Sequence, residues 1–134
     1  MLYEVTVTND KGIEGVVTST SKERFLTSHP TNDHPGTNPE ELMGAAWATC
    51  LNATIKALLS ARGHGDLASR VDVRVSLHKG EAGLYFRLDT TASIASLSIE
   101  DATRIVESAH KRCPVSKIIG DYEHVAITVV PYEN

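Results

Sequence analysis

Two cysteines are the residues of this chain whose type and position could do chemistry. Cys50 ends the stretch TNPEELMGAAWATC, and Cys113 lies in HKRCPVS, where a proline follows it directly. A thiolate can attack peroxides and disulfides, bind a metal ion or pair in a structural bridge. Residue type alone therefore leaves four possibilities: buried thiols, a structural disulfide, a metal pair or a redox couple.

The local sequence distinguishes the two cysteines. Cys50 falls on the apolar face of a long predicted helix, where a cysteine usually serves as a small core residue. Cys113 precedes Pro114, which suits the first turn of a helix, so Cys113 is predicted to be the N-cap residue. The free N–H groups and dipole at such a position favour a thiolate. The local sequence therefore favours Cys113 over Cys50 as a reactive thiol.

A metal site and a Cys–His hydrolase fit the sequence less well than redox chemistry. The chain has no CxxC motif, and two cysteines supply half of a structural zinc shell. His110 is the nominal base for Cys113, but no asparagine or aspartate is marked as the third group of a triad. We therefore expect no metal and no cofactor.

Hydrophobic periodicity and turn residues predict the elements that position these cysteines. The order is β-β-β-α-β-β-α-α-β, which predicts an α+β fold with antiparallel sheets. Strands are expected over 2–8, 13–20, 24–28, 71–78, 84–94 and 125–130, and helices over 39–62, 98–113 and 114–120.

The longest helix has a clear predicted start. Thr37 can cap it, Pro39 suits its first turn, and Glu40 stands three residues after Thr37, as in a capping box. Gly44 and the alanines that follow it are small, so another helix could approach closely. The loop before this helix, residues 28–39, is either a lid or a static loop.

Composition limits the class of protein. The net charge is −4 and no lysine or arginine cluster is present, which argues against nucleic acid or a membrane surface as a partner. The N-terminus resembles no signal peptide, and the apolar segment from Leu42 to Leu59 is interrupted by Asn52 and Lys56. We expect a single domain over residues 1–134, a buried helix and a cytoplasmic location.

The two cysteine motifs together resemble one family. GTNPEELMGAAWATC and AHKRCPVS are similar in content, order and separation to those of the OsmC/Ohr family, the osmotically inducible and organic hydroperoxide resistance proteins. The resemblance extends over essentially the whole chain, and GTNPEEL and CPVS are closer to the OsmC branch. It implies an intertwined homodimer with antiparallel sheets packed around two long helices, and active sites at the subunit interface.

The resemblance also implies an activity and residue roles. It implies an antioxidant peroxidase of the oxidative stress response that acts on organic hydroperoxides and is reduced by a dithiol of the lipoyl type. Cys50 takes the role of the peroxidatic cysteine, Cys113 that of the resolving cysteine, and Glu40 a supporting role. An apolar helix suits a hydrophobic peroxide but raises the pKa of a cysteine.

The sequence departs from the family at the arginine that stabilises the thiolate. Ile13 stands where one branch has this arginine, and the stretch SHPTNDHPG, where the other branch has it, contains none. Either Lys11, Arg24, His29 or His34 replaces this arginine, or no cation does.

The spacing of Glu40 and Cys50 predicts a dimer. Ten residues of straight helix separate them by about 15 Å, so a second chain must supply one of them if they act together. Two alternatives to the enzyme remain: a dimeric protein that binds an apolar small molecule in the same interface pocket, and a structural dimer whose cysteines only pack.

Overall fold

The structure is a computed structural model, and it describes residues 1–133. Its elements follow the predicted order, which confirms the α+β fold class. They are β1 (Val7–Asp10), β2 (Val16–Ser19), β3 (Arg24–Leu26), α1 (Pro39–Ala61), β4 (Ser69–Gly80), β5 (Gly83–Ile94), α2 (Ile99–Arg112), α3 (Pro114–Ile119) and β6 (Val125–Val129). A short 3₁₀ turn, Gly12–Glu14, lies between β1 and β2. The chain divides into two compact units, residues 1–42 and 43–134.

The first unit contains an antiparallel sheet in the order β1-β2-β3. The expectation of a strand over 2–8 with one buried face was wrong, because the strand begins at Val7 and all four residues of β1 are exposed. The alternation of apolar and polar residues predicts that the apolar face of this strand is buried. No part of the described chain covers that face. The turn after β1 contains two left-handed residues, Lys11 at φ 79° and Gly12 at φ 77°.

The cap of α1 lies one residue later than the sequence predicts. The side chain of Asn38, not that of Thr37, accepts a hydrogen bond from the backbone N–H of Glu41 at 2.8 Å. Asn38 Nδ2 donates to the Glu41 carboxylate in return, at 3.1 Å. Asn38 and Glu41 therefore form the capping pair, because the helix begins at Pro39 and Glu41 is its third residue.

The second unit contains the sheet β4-β5-β6. β4 and β5 form an antiparallel hairpin of twelve paired positions, from Ser69–Ile94 to Gly80–Gly83. The expectation of purely antiparallel pairing was wrong for β6, which pairs with β5 in parallel. Two helices separate β5 from β6 in sequence, and such a crossover brings the chain back to run in the same direction.

The core of the second unit lies between this sheet and the helices. Trp47, Leu51, Ile55 and Leu59 of α1 are fully buried. They cluster with residues of β5 and α2, among them Leu88, Ala92, Ile105, Val106 and Ala109. These four residues recur at every fourth position and therefore lie along one face of α1. Although α1 is long and apolar enough to cross a membrane by length and composition alone, it is a core helix here.

The small residues of α1 have one visible role. A Cβ added at Gly44 would lie 3.4 Å from Cγ2 of Val75 on β4. The sheet therefore already occupies the space beside Gly44. The close approach of a second helix stays a prediction.

Candidate functional site

Cys113 sits at the junction of α2 and α3 and is fully buried. It is the N-cap residue of α3, with Pro114 at the first position, as the sequence predicts. Its Sγ accepts a hydrogen bond from the backbone N–H of Ser116, with an N to S distance of 3.4 Å. The local sequence sets this geometry, because Pro114 has no N–H to donate and starts the helix.

Cys50 lies twelve residues into α1 and is partly exposed. Both cysteines are free thiols, and they lie near enough for each to affect the ionisation of the other. The structure therefore brings together two cysteines that are sixty-three positions apart. It does so by placing the middle of α1 beside the start of α3.

The two thiols have opposite pKa shifts. Burial raises the pKa of the Cys50 thiol, the Val115 N–H lowers it, and the neighbouring Cys113 raises it further. Burial also raises the pKa of Cys113, but hydrogen bonds from Ser116, Cys50 and Val115 outweigh it, so the net pKa is lowered. Within this chain Cys113 is therefore the thiol that ionises first.

A tryptophan and a serine extend the site behind Cys113. The indole Nε1–H of Trp47 donates to Ser116 Oγ at 2.9 Å, and this bond is buried. Trp47 is fully buried and Ser116 is 3% exposed. Sequence reasoning missed this pair. Trp47 has the spacing of an ordinary core residue, and Ser116 lies sixty-nine positions away, so no local signal links them.

His110 is the residue that the sequence suggested as the base for Cys113. Among residues 1–133, the imidazole makes no hydrogen bond to either cysteine, and its Nδ1 is buried without a partner. Its ring lies 6.3 Å from the ring of Trp47, tilted by 50°. The arrangement of residues in this chain thus gives no support to a Cys–His hydrolase.

Glu40 lies in the first turn of α1 and is half-buried. It belongs to the first compact unit, whereas both cysteines belong to the second. Its neighbour Glu41, not Glu40, makes the contact with the cap residue. The supporting role of Glu40 therefore stays a prediction.

The four candidate cations lie in the first unit and are exposed. Two of them, His29 and His34, meet at Glu14. The Glu14 carboxylate accepts from the backbone N–H of His29 and from Asn32 Nδ2, each at 2.6 Å, and lies 2.8 Å from His34 Nδ1. These contacts, with that of His34 the largest, lower the pKa of Glu14 from 4.5 to about 2. The loop over residues 28–39 is thus fastened to the 3₁₀ turn.

A metal centre finds no support in the arrangement of side chains. Within residues 1–133, no group of three or more His, Cys, Asp or Glu side chains could hold a metal ion. The described grooves do not contain the thiols either. One, of about 240 Å³, is lined by residues that include Arg70, Asp72 and Ser93, and another, of about 200 Å³, by residues that include Val106, His110 and Ile127.

Fold and site together define an α+β protein with a pair of neighbouring free thiols, one on a long core helix and one at a helix N-cap. A family model described as OsmC-like protein matches residues 30–128. The chain belongs to the OsmC/Ohr family.

Two curated relatives and one solved structure illustrate this membership. An organic hydroperoxide resistance protein-like 2 from Staphylococcus epidermidis is 31% identical over 124 residues, which cover 87% of each chain. Peroxiredoxin OsmC from Escherichia coli is 33% identical over 87 residues, covering 63% of this chain and 61% of the relative. The crystal structure of OhrB from Bacillus subtilis superposes with a TM-score of 0.85 at 26% identity, covering 98% of this chain and all of that one. Relatives of both branches match, so the closer likeness to OsmC stays a prediction.

Proposed function

We propose that this protein is a cytoplasmic thiol peroxidase that reduces organic hydroperoxides through a disulfide cycle between Cys50 and Cys113. The observation that carries the proposal is the proximity of the two free thiols, one partly exposed and one buried. Relatives named peroxiredoxin and organic hydroperoxide resistance protein support the class of reaction.

The exposure of the two thiols supports one assignment of their roles. Cys50 is the thiol that a substrate can reach, so it takes the peroxidatic role, and Cys113 is fully buried and takes the resolving role. The Cys50 sulfur attacks one oxygen of the peroxide. The O–O bond breaks, the alkoxide leaves and takes a proton to become an alcohol, and Cys50 becomes a sulfenic acid.

Resolution needs the second thiol in contact with the first. The Cys113 thiolate attacks the Cys50 sulfenic sulfur, an S–S bond forms, and the oxygen leaves as hydroxide, which a proton converts to water. An external dithiol, of the lipoyl type by analogy with the family, then reduces the disulfide through a mixed disulfide. The protein returns to two thiols, and the external dithiol is oxidised to a disulfide, which is a loss of two electrons.

Ionisation of Cys50 requires help, because burial raises the pKa of this thiol. We propose that the functional unit is a homodimer in which Glu40 supports the site from the other chain. α1 runs unbroken from Pro39 to Ala61, so ten residues of helix separate Glu40 from Cys50 by about 15 Å. Lys11, Arg24, His29 and His34 are the candidates for the cation that stabilises the thiolate.

The test is peroxide consumption with cumene hydroperoxide and a dihydrolipoyl compound as reductant. The unchanged protein should turn over, Cys50→Ser should be inactive, and Cys113→Ser should consume about one equivalent and stop as a sulfenic acid. Dimedone labelling with mass spectrometry identifies that acid. Equal peroxide consumption by the unchanged protein and Cys50→Ser would exclude the proposal.

The alternative is a dimer that binds an apolar small molecule in a pocket between its two chains. The described grooves of about 200 and 240 Å³ are smaller than a usual ligand pocket of roughly 300–1,000 Å³. Neither is lined by Cys50 or Cys113. No observation on the single chain favours it over the peroxidase.

A further inference from the structure

The hydrogen bond between Trp47 and Ser116 has a direction that matters for Cys113. An indole N–H can donate but cannot accept, so Ser116 Oγ must be the acceptor in this 2.9 Å contact. The hydroxyl proton of Ser116 must then point away from Trp47. All three side chains are buried, so water does not compete for that proton.

Cys113 Sγ is the hydrogen-bond acceptor that lies next to Ser116. The backbone N–H of Ser116 donates to Sγ at 3.4 Å. The Ser116 side chain also favours the charged form of Cys113. A serine whose orientation is fixed by a third residue is a pre-organised donor, which stabilises an anion more than a freely rotating hydroxyl does.

Few charged groups surround this sulfur. Cys50 of α1 is the titratable side chain that contributes to the ionisation of Cys113 among residues 1–133. His110 of α2 is a ring neighbour of Trp47, and Arg112 of α2 and Lys117 of α3 are exposed. Hydrogen bonds, more than nearby cations, therefore decide how Cys113 ionises.

We propose that Trp47 and Ser116 are positioning residues that hold Cys113 as a thiolate, Trp47 acting through Ser116. The inference rests on the proposed function for its consequence, which is that Cys113 is ready to attack the Cys50 sulfenic acid at neutral pH. The same contact makes Cys113 a good leaving group when an external dithiol attacks Cys50 in the disulfide, because a stabilised thiolate leaves faster.

The first experiment measures the ionisation of Cys113 without any peroxide. In a Cys50→Ser background, thiolate absorbance near 240 nm is followed against pH. Trp47→Phe keeps an aromatic ring but removes the N–H, and it should raise the pKa of Cys113 by about one unit, the size expected from one weakened hydrogen bond to a charged group. Ser116→Ala should raise it at least as far, and Ser116→Thr, which keeps the hydroxyl, should not.

The second experiment measures resolution in proteins that retain both cysteines. After one equivalent of cumene hydroperoxide, disulfide formation in Trp47→Phe should be up to about tenfold slower at pH values below both pKa values and unchanged well above them. Ile55→Val is the matched control, since it removes one buried methylene from α1 and should leave the pH profile unchanged.

The outcomes separate this inference from the proposed function. If Trp47→Phe and Ser116→Ala lower the melting temperature but leave the pKa of Cys113 unchanged, the two residues only pack and the inference is overturned, even with normal peroxidase activity. If the pKa moves as expected but the unchanged protein consumes no peroxide, the positioning role stands and the proposed function fails.

Discussion

At the scale of the residue, each thiol of the pair changes the pKa of the other. Burial raises the pKa of Cys50 most, and the neighbouring Cys113 raises it further, through its hydrogen bond and its negative charge. Cys113 in turn is favoured as the anion by Ser116, Cys50 and Val115 despite its burial. The pair thus shares one negative charge more easily than two, which is usual for coupled groups.

The coupling predicts the reactivity of Cys50 when Cys113 is changed. Cys113→Ala removes the neighbouring charge, so the pKa of Cys50 should fall and alkylation of Cys50 by iodoacetamide at pH 8 should be several-fold faster. The measurement is the pH–rate profile of alkylation. Cys113→Ser, which also lacks the charge but keeps a hydroxyl, should behave similarly, and a slower rate in both variants would contradict the coupling.

Glu14 provides a residue-scale prediction in the first unit. Contacts with His34, His29 and Asn32 lower its pKa from 4.5 to about 2. A lowered carboxyl pKa stabilises the folded state fully above the unfolded pKa, and this stabilisation is lost as pH falls through the folded pKa. Glu14→Gln should therefore reduce the pH dependence of unfolding between about pH 5 and 2.

The control for Glu14 is a glutamate without such contacts. Glu4 is exposed and makes no side-chain hydrogen bond to other residues of the described chain, 1–133. Chemical unfolding of Glu4→Gln across the same pH range should follow the unchanged protein. If Glu14→Gln follows it too, the contacts around Glu14 do not stabilise the fold.

At the scale of the element, helix starts decide where the reactive side chains lie. Ser98 caps α2 by accepting from the Asp101 N–H, and Cys113, as the sequence predicts, caps α3 in the same way. The cap of α1, in contrast, was predicted one residue early. Thr37 and Asn38 are both good caps, and a local pattern that either one satisfies does not separate neighbours.

This difference can be measured. Asn38→Ala removes the acceptor for the Glu41 N–H and should cost about 1 kcal/mol of stability, or a melting temperature lower by about 4 °C. Thr37→Ala should cost clearly less, because the Thr37 hydroxyl reaches the Glu41 side chain at a distance of 3.5 Å. Thermal unfolding followed by circular dichroism measures both variants. An equal loss of stability in the two would contradict the assignment of Asn38 as the cap.

At the scale of the whole molecule, exposed apolar side chains predict a second copy of the chain. Leu2, Tyr3, Val5 and Val7 before and within β1 are between 41% and 105% exposed. Small residues of α1, namely Ala45, Ala46, Thr49 and Ala53, are also exposed. Apolar surface of this kind is usually covered, and a dimer would cover it.

We therefore expect a homodimer in solution. Sedimentation or small-angle scattering at micromolar concentration should give twice the 14.5 kDa mass of one chain. Ala46→Arg should shift the protein towards the monomer, because a large charged side chain replaces a small one on the exposed α1 face. Glu81→Arg, at the exposed tip of the β4–β5 hairpin, is the control, and a monodisperse monomer of the unchanged protein would exclude the dimer.

The sequence by itself determined the order of the elements and the N-cap of α3, and its two cysteine motifs together indicated the family. These features depend on neighbours within a few residues, where alternation, proline position and capping chemistry act directly. The tertiary structure alone decided the parallel pairing of β6, the Glu14 contacts and the contact of Trp47 with Ser116, sixty-nine positions away. Such contacts depend on how the elements pack against one another. A local sequence pattern does not specify which distant residues will be in contact.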